Sequence, residues 1–138
     1  MINITKETSV SIDDVLHLYQ AVGWTNYTHQ PQMLEQALSH SLAIYLALDG
    51  DAVVGLVRLV GDGFSSVFIQ DLIVLPSYQR QGIGSDLMKK ALGDYKDAYQ
   101  VQLVTDQTEK TLGFYHSLGF ETLSTYDCTG MIWVDRKR

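Results

Sequence analysis

The stretch Gln79-Arg80-Gln81-Gly82-Ile83-Gly84-Ser85 decides how the rest of the chain is read. It follows an apolar run, residues 67–74, closed by Leu75-Pro76. It precedes residues 82–95, where Ile83, Leu87, Met88, Ala91 and Leu92 recur at helical spacing. A buried strand therefore passes through a glycine-bearing turn into an amphipathic helix. Gly82 and Gly84 lack a Cβ, so the backbone can approach a ligand closely. The helix start adds unsatisfied N–H donors and a partial positive charge, which together suit a phosphate or pyrophosphate. Arg80 can add a charge-assisted contact. No Lys follows at Walker spacing, and Leu87 stands where a dinucleotide fold needs its third glycine. Both of those sites are excluded. Two glycines alone remain equally compatible with a helix start that holds nothing.

Upstream of this turn, residues 2–5 read as a short strand and residues 13–22 as a helix, with Ser11 as its N-cap and Gly23 as its stop. Pro31 suits the first turn of a second helix, residues 32–39. Residues 44–48 and 52–60 are apolar runs flanking Asp49-Gly50, a strong hairpin signal, and their continuity suits strands buried on both faces. Downstream, residues 101–105 read as a strand and residues 108–118 as a helix stopped by Gly119. Two closing strands are expected, at residues 121–126 and 131–135. The pattern predicts one α/β (α+β) domain over residues 1–138 with a single central sheet.

The chain has 138 residues, 46% of them hydrophobic and 19% charged, which suits a packed domain and not a disordered one. No apolar run reaches the ~20 residues of a membrane-spanning helix, and the N-terminus lacks a secretory pattern. Cys128 is the only cysteine, so neither an internal disulfide nor a cysteine-based zinc cluster can form. His17, His29, His40 and His116 show no ligand spacing, and no metal is expected. A cytoplasmic location and no membrane partner are the corresponding expectations. The net charge of -6 disfavours nucleic-acid binding, whose phosphates require a basic face. Asp135-Arg136-Lys137-Arg138 reads as a solvated tail.

Residues 79–84 match the Gln/Arg-x-x-Gly-x-Gly/Ala signature of the GCN5-related N-acetyltransferase (GNAT) superfamily. Phe114-Tyr115-His116-Ser117-Leu118-Gly119-Phe120 resembles that family's Phe-Tyr-x-x-x-Gly-Phe segment. Element order agrees over almost the whole chain. The resemblance implies a GNAT fold: a mixed, mostly antiparallel sheet splayed between strands 4 and 5, with helices on both faces. It implies acetyl-CoA as the donor co-substrate, its pantetheine arm along Leu72, Ile73 and Val74. Its pyrophosphate would meet Gln79, Arg80, Gln81, Gly82, Ile83, Gly84 and Ser85. Tyr115 corresponds to the tyrosine beside the CoA sulfur, where a phenol can protonate the departing thiolate. Thr108 occupies the position where many relatives carry a CoA-contacting Asn, and Thr111 replaces a common alanine; Phe114 and Phe120 are packing residues.

The acceptor side needs a base, because only about a thousandth of a primary amine is neutral at pH 7. Asp71, on the strand 68–73, is the candidate, matching a family carboxylate that serves as base or water holder. It reads equally as a structural aspartate bonded to a loop amide or to Arg58. Glu35 and Asp62 are weaker alternatives. Trp24, Thr25 and Tyr27 border the family's acceptor pocket and could hold an alkylammonium on their aromatic faces; a Trp plugging the core edge fits equally. The resemblance thus implies direct acetyl transfer from acetyl-CoA to a small-molecule primary amine, in a chain compatible with a homodimer. The rival readings are a catalytically silent acyl-CoA-binding domain and a peptide N-acetyltransferase.

Overall fold

The computed structural model describes residues 1–135. Arg136, Lys137 and Arg138, most of the expected solvated tail, lie outside the described residues. Two compact units make up the chain, Met1–Leu103 and the segment from Val104 onward.

The first unit is a five-stranded sheet in the order β1-β2-β3-β4-β5: Ile2–Glu7, Ala43–Asp49, Ala52–Gly61, Ser66–Val74 and Gln100–Leu103. The first four strands pair antiparallel, and β4 and β5 pair parallel. The β2–β3 hairpin forms where Asp49-Gly50 announces it, with Gly50 at φ +62°, a conformation that suits a residue without a Cβ.

Helices cover both faces of this sheet. Helix α1 (Ile12–Ala21) begins at Ser11, whose hydroxyl accepts the Asp13 amide proton at 3.2 Å. A short α2 (Thr25–Thr28), not anticipated from sequence, leads into α3 (Pro31–Ser39), which has Pro31 in its first turn. Val15, Leu18, Tyr19, Leu34 and Leu38 from these helices bury against Ile44, Leu46, Leu56 and Ile73. Each such side chain contributes about 1.5–3 kcal/mol through removal from water. On the opposite face, α4 (Ile83–Asp94) comes so close that a Cβ at Gly55 would lie 3.2 Å from Leu87 Cδ1.

The second unit holds α5 (Glu109–Ser117) and a 3-10 turn at Leu123–Tyr126. This corrects the expectation of a strand at residues 121–126. The strand expected at residues 131–135 is also absent: those residues enter no ladder of the described sheet. The physical reason is that β propensity reports side chains suited to a pleated surface, while a strand exists only where a neighbour takes up its backbone groups.

Candidate active site

The sheet opens at one place. The β4–β5 ladder runs from Ser66↔Gln100 to Ile69↔Leu103 and ends there, while β4 continues to Val74. Along residues 70–74, β4 has β3 on one side and no described strand on the other. At the start of this opening the β3–β4 register slips from Leu59↔Ile69 to Arg58↔Asp71, leaving Gln70 as an extra residue on β4. Such a bulge re-aims the backbone groups around it.

Beyond Val74 the chain makes a 3-10 turn, Pro76–Tyr78, and then the glycine loop. Arg80 adopts φ +66° although it is not glycine, and Gly82 adopts φ +81° as the N-cap of α4. A left-handed conformation at a non-glycine residue costs about 1–2 kcal/mol and recurs where backbone must be held for binding. No side chain caps this helix start. The first-turn amides have no carbonyl four residues back within the helix, so the loop presents donors and the positive end of the dipole together. The local conformation fits the diphosphate expected there. Two side chains brace the loop: the Gln79 carboxamide donates to the Val74 carbonyl at 3.1 Å, and the Tyr78 hydroxyl donates to Asp49 at 2.5 Å.

Asp71 sits on β4 directly after the bulge, 3% exposed. Its Oδ2 accepts from Arg58 Nε at 2.7 Å and from the Tyr19 hydroxyl at 2.8 Å, and its Oδ1 accepts from the Tyr27 hydroxyl at 2.9 Å. Arg58 also donates to the Tyr27 hydroxyl at 3.2 Å and to Ser41 Oγ at 3.3 Å. The pairing with Arg58 that the structural reading of Asp71 expects is therefore present. Burial and the Asp71 charge push the Tyr19 phenol far above its usual range, and the same causes raise Tyr27. Burial opposes the charge on Arg58, but the Asp71 carboxylate more than offsets it, and Arg58 stays firmly protonated.

Tyr27 is turned inward, 8% exposed, with its ring 4.9 Å from Tyr19 and 6.3 Å from Trp24. Trp24 packs half-buried against the core, and Thr25 is exposed. Tyr27 thus spends its hydroxyl on the buried ion pair, a role its sequence context gave no hint of. Tyr19, also missed as a site residue, could have been suspected only as a polar tip within an apolar helical stripe.

In the second unit, Tyr115 packs edge-on against Phe114 and Phe120. Burial and the neighbouring Asp106 raise its phenol above the ordinary tyrosine range. Thr108 is the N-cap of α5: its hydroxyl accepts the Thr111 amide proton at 3.3 Å and donates to Asp106 at 2.8 Å.

A family model described as an acetyltransferase (GNAT) domain matches residues 40–122. A solved GNAT-family acetyltransferase from Streptococcus pneumoniae TIGR4 is 76% identical, with a TM-score of 0.91 and 99% of each chain covered. The "GCN5-related N-acetyltransferase 1, chloroplastic" of Arabidopsis thaliana is 28% identical over 94% of this chain, which spans 65% of that protein's length. A GNAT-family acetyltransferase from Elizabethkingia anophelis, solved with acetyl-CoA bound, shares the fold at a TM-score of 0.64 and 22% identity, over 87% of this chain and 76% of its own.

Proposed function

The chain belongs to the GNAT acetyltransferase family, and from that premise we propose that it transfers an acetyl group directly from acetyl-CoA to a primary amine of a small molecule. The observation that carries this reading is the opening of the sheet past Ile69 and Leu103, which runs straight into a helix start with no side-chain cap. Leu72, Ile73 and Val74 would offer backbone groups to the pantetheine arm. The backbone from Gln79 through Ser85, with Arg80, would hold the diphosphate. Acetyl-CoA supplies the activated acetyl thioester.

Most of the acceleration is then positioning. Holding amine and thioester in one geometry can be worth about 7–11 kcal/mol. Tyr115, kept protonated by burial and Asp106, is assigned as the acid that donates to the departing thiolate. Asp71 is assigned a positioning role, because both its oxygens already accept hydrogen bonds. Using it as a base would break a buried ion pair, at about 3–5 kcal/mol. Water is left as the proton acceptor of the amine, with Trp24 and Thr25 at the mouth of the acceptor side and Tyr27 behind them.

The test is an acetyl-CoA-dependent thiol-release assay over polyamines, arylalkylamines, amino acids and N-terminal peptides. We expect turnover on at least one small amine. Measurable CoA binding with no turnover on any amine would establish the silent-domain reading instead, and turnover confined to peptides would move the acceptor class.

A further inference from the structure

We propose, resting on the transfer reading above, that Gln70 holds the acceptor amine: its carboxamide oxygen, aimed by Tyr27, accepts an N–H of the nucleophile and selects amines without a carboxylate on the same carbon. Successive residues of a regular strand point to opposite faces. At the slip from Leu59↔Ile69 to Arg58↔Asp71, however, Gln70 and Asp71 both stand opposite Arg58. Both then reach one hydroxyl. Asp71 Oδ1 accepts from Tyr27 at 2.9 Å, and the Gln70 carboxamide hydrogen-bonds the same phenol. Their surroundings differ: Asp71 is buried, and Gln70 is exposed at the first position of the sheet opening.

Hydrogen bonding fixes which way the carboxamide points. Tyr27 has one hydroxyl proton and gives it to Asp71, so its oxygen can only accept from its other neighbours, as it does from Arg58 at 3.2 Å. Gln70 must therefore meet that oxygen with its NH2 group. The Tyr27 phenol agrees: burial and Asp71 raise it, while Gln70 works against them, which is the effect of a donor. The carboxamide oxygen is left for a ligand. On the transfer reading, the pantetheine arm runs back from the helix start along Val74, Ile73 and Leu72. Asp71 is buried, so Gln70 is the next exposed polar side chain along β4. A carboxamide takes up no proton near neutral pH, so it holds an amine by its N–H and leaves the lone pair free. The same oxygen repels a carboxylate on the amine carbon. Arg58 offers that carboxylate no cation, being 4% exposed and spent on Asp71, Tyr27 and Ser41.

The experiment runs the full chain on two amine pairs that differ only by a carboxylate on the amine carbon: 2-phenylethylamine with phenylalanine, and putrescine with ornithine. Wild type is expected to turn over the carboxylate-free member of at least one pair about tenfold faster in kcat/KM than its partner. Gln70→Met should raise the KM for that amine about three- to tenfold, with kcat and CoA affinity nearly unchanged. A second readout needs neither co-substrate. In NMR spectra of the free protein, one Gln70 carboxamide proton, assigned by its loss in Gln70→Met, should exchange slowly with solvent. In Tyr27→Phe that exchange should become fast, with the backbone amide spectrum otherwise retained. An unchanged KM in Gln70→Met, a carboxamide indifferent to Tyr27→Phe, or amino acids used as well as their carboxylate-free partners overturns the proposal. So does turnover on neither pair while another amine is acetylated. Failure of the transfer reading has its own signature, a wild type that binds CoA and releases no thiol with any amine, and it takes the proposal with it.

Discussion

At Gly82 the backbone sits at φ +81°, and a Cβ added there would meet nothing within 4 Å. Gly82→Ala therefore probes backbone conformation without a clash. Alanine in the left-handed region costs about 1–2 kcal/mol, so the loop is expected to relax or the fold to lose about 1 kcal/mol in urea titrations. Either way, CoA affinity should fall about tenfold, the equivalent of 1.4 kcal/mol. Unchanged affinity would separate the loop from the nucleotide. Tyr115 makes a second residue-scale test. Its phenol is raised by burial and Asp106, so the proton it would donate persists past pH 10, the ordinary tyrosine value. The kcat profile should then show no loss assignable to Tyr115 between pH 7 and 10. Tyr115→Phe should lower kcat by about 10²-fold with CoA affinity nearly unchanged. Unaltered turnover would remove Tyr115 from the chemistry.

Among the elements, α1, α2, β3 and β4 are locked by one buried cluster, Tyr19, Tyr27, Arg58 and Asp71. The bulge at Gln70 adjoins that cluster, so the ion pair holds the strand where the sheet opens. Hydrogen bonding of both carboxylate oxygens makes this cluster sensitive to alkali. Tyr19 has a folded-state pKa raised by burial and Asp71 above its unfolded value. The folded state therefore retains a proton that the unfolded chain releases, and stability is full below about pH 10 and lost as pH rises beyond it. Urea titrations at pH 9, 10 and 11 should show stability falling by up to about 1.4 kcal/mol per pH unit above pH 10 from this residue. Tyr19→Phe should start less stable and fall less steeply. A slope identical to wild type would show that the phenol does not titrate with unfolding.

For the molecule as a whole, legibility followed the range of the interactions. Helices α1, α3, α4 and α5, the Asp49-Gly50 hairpin and the glycine loop all appear close to where local patterns put them. Those features depend on caps, turn residues and periodicity within a few positions of the chain. The family resemblance was equally local, carried by residues 79–84 and 114–120. Long-range pairing decided the rest. Nothing in Phe68-Ile69-Gln70-Asp71-Leu72 announces that Gln70 is extra, because a bulge is a property of two strands together. The sequence left Asp71 open between base and ion-pair partner, and the ion pair itself is made only by Arg58 on the neighbouring strand, with Tyr19 and Tyr27 from the helices. Thr108, expected to contact the cofactor, also caps helix α5. The two closing strands failed for the same reason, since strand-forming side chains do not supply the neighbour that a strand requires. Short-range chemistry thus determined the elements and the glycine loop that opens α4. Which buried charges meet, and where the sheet opens, is fixed only when residues remote in the chain satisfy one another's hydrogen bonds away from water.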